Sequence, residues 1–362
     1  MARKEKSDEE EIDDVPDKDD TPDQIQEYAI TSYGADYTAD GLVKRINESD
    51  IVIPPFQRGY VWNFKRASKF IESLLLGLPV PGVFLTKEKE NEQLIVIDGQ
   101  QRLRTLQYFY EGTFKPTEKE FKLDAVQERF RGRTFKSLEH KERRRLNDAI
   151  IHATIIEQTT PIEDNSSIYY IFERLNTGGV PLQSQEIRSA IFSGELNELL
   201  KSLNKNPAWR SIYGKESPRM KDQELILRFF AFYYNFDNYK KPLVGFLNTY
   251  MKRNRKLEYQ SAEELSSIFT ETINFIYHCF QKKAFRPKGQ MNAAVFDAVM
   301  VGVARRLVKG EIKNVQAFKE SYYSLIDIDN AKFADAIYAR SSDDDVVKIR
   351  INLATEAFVG IE

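Results

Sequence analysis

The sequence predicts an α+β protein, with short strands interleaved with helices up to about residue 194 and helices alone beyond it. Three observations predict this. Short apolar runs at 51–53, 83–85, 94–97 and 151–156 have the length and β-branched content of strands. Between them, residues such as Ala67, Phe70, Ile71, Leu74 and Leu75 recur at helical spacing. After Gly194 the helical spacing has no rival, over roughly 195–204, 222–235, 242–252, 262–281, 291–308, 314–326 and 342–356.

Bulk properties bound what such a chain can do. Its 362 residues suggest about two domains, and 41% hydrophobic content lets most of it fold. The net charge of -2 is unevenly spread. Residues 1–24 hold eleven acids and four bases, so an acidic stretch precedes a mildly basic body. That body could meet nucleic acid, although its charge does not demand it. A single cysteine, Cys279, rules out an internal disulfide, and scattered His140, His152 and His278 offer no Cys/His metal cluster. No apolar run approaches the ~20 residues of a membrane span, and no signal-peptide pattern opens the chain, so a cytoplasmic protein is expected.

In chain order, residues 1–30 read as an acidic disordered tail, too poor in apolar residues to offset the entropy of ordering. Asp40 can cap a short helix carrying Leu42, Val43 and Ile46. The strand at 51–53 stops at Pro54-Pro55, and a loop follows that sets Gln57 and Arg58 beside Phe56, Tyr60 and Trp62. Asn63 reads as the N-cap of the next helix, which Gly77 and Pro79 end. Strands at 83–85 and 94–97 form a hairpin across a charged connection. At Asp98-Gly99 the second strand turns at once into a helix bearing Leu103 and Leu106 inward, ended by Gly112. Ser137 can cap a helix through Leu146, whose basic run reads first as a solvated face. His152, inside a strand, reads as structural. Two glycines, Gly178 and Gly179, follow Arg174 and Asn176 at a helix end, and Ser184 can cap the helix carrying Gln185, Glu186 and Arg188. Gly-Gly there is first of all a helix stop, with a binding loop as the second reading. Asp222 reads as the N-cap of a helix whose Leu225, Ile226, Phe229, Phe230 and Tyr233 form a core stripe rather than a base-stacking platform. Basic clusters at 252–256 and 282–288 read as solvated loops unless nucleic acid meets them.

Chemistry is narrowed by what is missing. The sequence has no Gly-x-x-x-x-Gly-Lys-Ser/Thr loop, no His-Glu-x-x-His motif and no His/Asn grouping of an HNH nuclease. Acid, amide and guanidinium groups remain. Asp98 can ligate Mg²⁺ or orient a water. Gln100 and Gln101 can orient water or bind phosphate oxygens, and Arg102 and Arg58 can take phosphate bidentately. Tyr60 or Trp62 could stack on a base. The strand–turn–helix at 95–109 is a weak motif alone, equally a solvated turn or an anion site. The inventory suits nucleotide hydrolysis and, equally, nucleic-acid backbone binding without chemistry.

Three segments in order, IPPFQRGYVW (53–62), IDGQQRLRTL (97–106) and FERLNTGGVPLQSQEIRSAIF (172–192), resemble the N-terminal domain of GmrSD-type restriction endonucleases, in the ParB/sulfiredoxin-like superfamily. The resemblance spans about 35–255. It implies a ParB-like nucleotide-binding α+β domain over 31–194 with a small mixed sheet, and leaves 195–362 as a helical domain. It implies nucleotide-dependent restriction of foreign or modified DNA. By that resemblance Asp98, Gly99, Gln100, Gln101 and Arg102 are the signature for nucleotide binding and hydrolysis, with Thr105 one turn on. Gln57, Arg58, Tyr60 and Trp62 form a second part, and Arg174, Asn176, Gly178, Gly179 and Arg188 a third. Two-part relatives carry a C-terminal HNH-like nuclease; here the C-terminal third has only His278, so a separate nuclease subunit or another effector is implied.

The leading expectation is an NTP-hydrolysing regulatory component of a type IV-like restriction or antiphage system, with Mg²⁺ as cofactor and NTP and DNA as partners. The competing expectations are a ParB-like DNA-binding or adaptor module without turnover, and a weak DNA-nicking enzyme.

Overall fold

A computed structural model describes residues 12–13, 29–54, 60–88, 92–160, 171, 183–338 and 341–362. The chain divides into two compact units: residues 26–182, and residues 183–362 together with 1–25. The first is built on a mixed sheet and the second on helices, so the protein is α+β.

The strands in chain order are β1 (Ile12–Asp13), β2 (Ala29–Thr38), β3 (Ile51–Val52), β4 (Val83–Lys87), β5 (Leu94–Asp98), β6 (Thr113–Phe114), β7 (Lys119–Glu120), β8 (Ile150–Thr160) and β9 (Met291–Asn292). Five of them form the main sheet in the order β2-β8-β4-β5-β3. β2 runs antiparallel to β8 and β4 antiparallel to β5, whereas β4–β8 and β3–β5 are parallel. The hairpin of β4 and β5 lies where the apolar runs place it. β2 is longer than its sequence signals: a ladder from Ala29 to Thr38, mostly exposed, with no apolar alternation to announce it.

Helices α1 (Ala39–Asn47), α2 (Phe64–Leu76), α3 (Gln100–Glu111) and α4 (His140–Asn147) complete this unit. The α2 boundaries follow from local chemistry. Asn63 Oδ1 accepts the Arg66 amide at 2.9 Å, and Gly77 turns left-handed at φ +73 to stop the helix. Such a cap contributes about 1 kcal/mol. Elsewhere the capping residue differs from the expected one. Thr38, not Asp40, caps α1; Glu139, paired with Glu142 in a capping box, starts α4 instead of Ser137. In each case the chain enters the helix extended two residues away from the expected cap. Leu42, Ala67, Ile71, Leu85, Val96, Leu106 and Phe109 share one core, and Phe64, Phe114 and Phe121 meet edge-on or tilted within it.

The second unit contains α5 (Ser184–Ile191), α6 (Glu195–Leu203), α7 (Pro207–Tyr213), α8 (Lys221–Asn235), α9 (Leu243–Arg253), α10 (Ala262–Phe280), α11 (Ala293–Leu307), α12 (Val315–Ile326), α13 (Ala331–Tyr338) and α14 (Asp344–Val359). All but two of the fifteen α11 residues are buried, which makes it the central helix of this unit. Gly302 lets α14 approach closely: a Cβ there would lie 2.8 Å from the Ala354 carbonyl oxygen. The stripe of Leu225, Ile226, Phe229 and Phe230 is buried, as core. Asp222 is not the N-cap of α8. It sits inside the first turn, fully buried, where its carboxylate takes the Asn204 amide at 3.0 Å and pairs with Arg210 at 2.9 Å.

One further charge cluster is enclosed here. Asp297 on α11 accepts Arg228 from α8 through both oxygens, at 3.0 and 2.6 Å, and Arg350 from α14 at 3.2 Å. Two guanidiniums therefore share one fully buried carboxylate. Burial pushes the Arg350 guanidinium down from its ordinary range, against the pull of Asp297.

Candidate functional site

The apolar side chains Leu94 to Ile97 fill β5 and are buried; Asp98, the last strand residue, is the first to reach outward. Gly99 then reverses the chain at φ +102, and α3 starts at the next residue with no side chain capping it. Only glycine fits this turn. A Cβ at position 99 would stand 2.5 Å from Val83 Cγ1 on the neighbouring strand β4. The tight turn starts α3 without a capping side chain, and an uncapped helix start favours an anion or a phosphate.

Asp98 and Arg102 are one helical turn apart and form an ion pair, Arg102 Nη2 to Asp98 Oδ2 at 2.8 Å. The Arg102 side chain is 15% exposed and that of Asp98 42%. At this exposure the pair contributes little to stability; its effect is to hold the guanidinium in one orientation. Arg102 Nε is buried and has no acceptor among the described residues. Asp98 Oδ1 takes no hydrogen bond among them either.

Gln101 braces the site. Its Oε1 accepts the Val61 and Trp62 amides at 3.0 and 3.3 Å, tying the segment after residue 59 to the start of α3. Thr105 makes the second tie. Its hydroxyl donates to the Gln101 carbonyl and accepts from the Tyr60 hydroxyl, both at 2.6 Å. Burial pushes the Tyr60 phenol up to about 12, against the hydrogen bond to Thr105, so it stays a protonated donor at neutral pH. Thr105→Val leaves that buried hydroxyl without its acceptor and is expected to cost about 1–3 kcal/mol, read as a lower urea midpoint at unchanged slope.

The sequence-expected aromatic pair is placed differently from a stacking platform. The Tyr60 ring packs against Tyr108 and Phe114, centroids 5.2 and 5.6 Å away. Trp62 meets the Phe70 ring at 5.7 Å, with the Arg66 guanidinium 4.9 Å over its own ring. Both aromatics thus shape the wall of the site through protein contacts. Gln100 is half-buried at the first helical position.

The structure therefore brings together Tyr60, Trp62, Asp98, Gly99, Gln100, Gln101, Arg102 and Thr105. Gln57, Arg58, Arg174, Asn176, Gly178 and Gly179 lie outside the described residues. Arg188 belongs to the helical unit and is fully buried there. Its guanidinium donates to Asn248 Oδ1 at 2.9 Å and to Gln185, and pairs with Glu224 at 3.1 Å. Those contacts make Arg188 a brace between α5, α8 and α9. Gln183, not Ser184, caps α5, in a capping box with Glu186. His152 has a partner that its sequence surroundings did not reveal: its Nδ1 lies 2.8 Å from Asp36 across β2 and β8, on exposed strand surface. The Asp98–Arg102 pair was visible as a spacing of four; the Val83–Gly99 contact was not, because it crosses two strands.

A single carboxylate with one oxygen outside its ion pair fits a Mg²⁺ that arrives largely coordinated by nucleotide phosphates, since such ions are held by one or two protein carboxylates. Among the described residues no group of three or more His, Cys, Asp or Glu could hold a metal by itself. No helix among them is long and apolar enough to cross a membrane.

Residues 40–193 match the family model described as GmrSD restriction endonuclease, N-terminal domain. No curated protein matches the chain. The matched segment holds the whole β5–Gly99–α3 turn and the Tyr60–Trp62 wall, so the site described above lies inside the segment that resembles that domain.

Proposed function

We propose, from the premise that residues 40–193 are a GmrSD N-terminal domain and the chain therefore a restriction-related protein, that this domain binds and hydrolyses a nucleoside triphosphate as the regulatory component of a type IV-like restriction or antiphage system. The observation that carries the reading is the Asp98–Gly99–Arg102 turn. An uncapped helix start, an oriented guanidinium and an adjacent carboxylate converge there, in a turn that admits no side chain at position 99.

In this reading the triphosphate lies against the start of α3. Arg102, held by Asp98, meets a phosphate oxygen and offsets the charge that develops as the terminal phosphoryl group leaves. Mg²⁺, bound mainly through the phosphates with Asp98 beside it, would supply charge neutralisation. Gln101 and Thr105 are positioning residues, because both bond the 60–62 segment. Foreign or modified DNA is the object sensed, and cleavage falls to a separate nuclease subunit.

The test is phosphate release by the purified protein from each of four NTPs with Mg²⁺, with and without duplex DNA. Turnover of at least one NTP is expected, falling at least about tenfold in Asp98→Ala and in Arg102→Ala. Equal release by wild type and both variants would refute the site. DNA binding with no release by any protein would favour the adaptor reading.

A further inference from the structure

A cavity of about 440 Å³ lies in the helical unit, where α10 meets the C-terminal ends of α8 and α11. That volume falls in the range of small-molecule sites. One face of α10 supplies most of its polar lining: Glu264, Ser267, Ile268, Glu271 and Thr272. These positions follow the i, i+3, i+4, i+7, i+8 spacing by which a helix presents one side to its neighbours. An apolar stripe is the usual occupant of that spacing, yet four of these five residues are polar. Ala304, Leu307 and Val308 of α11 form an aliphatic wall, and Tyr233 and Tyr234 of α8 an aromatic one.

The lining is negative: it holds two carboxylates and no Lys, Arg or His. Tyr234 donates its hydroxyl to Glu264 Oε1 at 2.8 Å, and Ser267 donates to Glu271 Oε1. These neutral donors orient both carboxylates without neutralising them, and neither carboxylate enters an ion pair among the described residues. Burial, and then the Glu264 carboxylate, pushes the Tyr234 phenol above its ordinary range; burial also raises Tyr233, against the pull of Arg305. Both phenols therefore stay protonated. Arg305 itself is engaged outside the lining, where it donates to Thr355 Oγ1 at 3.1 Å and lies 5.1 Å over the Phe236 ring. Thr272 supplies a separate signal. It is fully buried, and its hydroxyl has no hydrogen-bond partner among the described residues. A buried hydroxyl left so costs stability, and an N–H donor in the cavity would satisfy it.

We propose that this cavity binds a linear aliphatic polyamine. Glu264 and Glu271 are two helical turns apart, about 10 Å along the axis. That separation is too wide for one metal ion or one ammonium to meet both carboxylates. It suits two ammonium groups joined by a hydrocarbon chain. The methylenes lie against Ile268, Leu307 and Val308, and the two tyrosines offer ring surface that attracts cations. The ammonium beside Glu271 donates to the Thr272 hydroxyl as well. A phosphate group is repelled by the same carboxylates, so the site does not duplicate the nucleotide site, and it belongs to the other unit. The acidic stretch at residues 1–24 also attracts polyamines, but it is common to every variant tested and cancels in comparison.

The experiment is isothermal titration calorimetry of the full chain with spermidine and with butylamine at low salt. Spermidine is expected to bind at least about tenfold more tightly than butylamine, which meets one carboxylate at a time. Glu264 and Glu271 are exposed, so Glu264→Gln and Glu271→Gln spare the core. Each is expected to weaken spermidine binding about tenfold. Glu320→Gln, the same change at an exposed residue outside the lining, is expected to weaken it less than about twofold. Thr272→Val removes the orphaned hydroxyl at similar volume. It is expected to weaken spermidine binding about threefold while leaving the Tm of the ligand-free chain unchanged or raised, the reverse of what a structural hydroxyl would do. Equal losses in Glu271→Gln and Glu320→Gln would place the amine on acidic surface at large and overturn the proposal. A wild type that fails to bind spermidine, or binds butylamine as tightly, would overturn it too. So would a Thr272→Val chain with a lowered Tm and intact spermidine binding.

Discussion

Asp297→Ala is expected to destabilise the folded chain by about 3–5 kcal/mol, the cost of removing one partner from a buried ion cluster. Arg228 and Arg350 are 5% and 1% exposed and share Asp297 as their carboxylate. Without it, two guanidiniums repel each other in a medium too poor in water to screen them. Arg350→Met is expected to be milder by at least about 2 kcal/mol, because it leaves Arg228 and Asp297 as a bidentate pair and fills the space with an unbranched apolar chain. Urea unfolding monitored in the helical region reads both. Equal costs for the two variants would mean that the cluster acts through packing, not through charge balance.

Gly99→Ala is expected to cost about 2–5 kcal/mol, from two sources at one residue. An L side chain at φ +102 is strained by about 1–2 kcal/mol, and driving its Cβ into Val83 adds about 1–3 kcal/mol. The two are separable. In the Gly99→Ala/Val83→Ala double variant the closest contact, to Cγ1 at 2.5 Å, is gone while the Val83 Cβ stays 2.9 Å away, so the combined cost is expected to fall below the sum of the single costs by about 1 kcal/mol. Additive costs would place the penalty in the backbone and the remaining Cβ contact. The same substitution is expected to unseat Arg102, whose Nη2 lies 3.3 Å from the position of that Cβ, so phosphate release would fall even where the fold survives at low temperature.

Much of this architecture could be read directly from residue patterns. Asn63, Gly77 and Gly112 mark helix ends by chemistry local to a few residues, and the apolar runs of β4 and β5 mark buried strands. What escaped the sequence is what distant residues settle. β2 carries few apolar side chains because it is an edge strand, so its alternation is faint. The short helices Pro207–Tyr213 and Ala331–Tyr338 span too few turns for a periodicity to register. Asp222 has the composition of a cap, yet Arg210 and Asn204 draw it inside. In the site, Asp98, Gly99 and Arg102 could be named from a strand running into a helix. The bracing roles of Gln101 and Thr105 depend on a segment some forty residues earlier, and no local pattern encodes that.

The pairing of β2 with β8 has a consequence for how the chain is made. Tyr37 meets Ile151 and Ala35 meets Ala153, so the first long strand to leave the ribosome has its ladder partner more than a hundred residues behind it. At about 5–20 residues per second, that strand waits several seconds with its edge unpaired. Its polar sequence, AITSYGADYT, suits the wait: an apolar strand of the same length would recruit neighbouring nascent chains. The sheet closes from its far edge last, and loop closure over this distance sets a slow step that the helical unit, rich in short-range contacts, does not share.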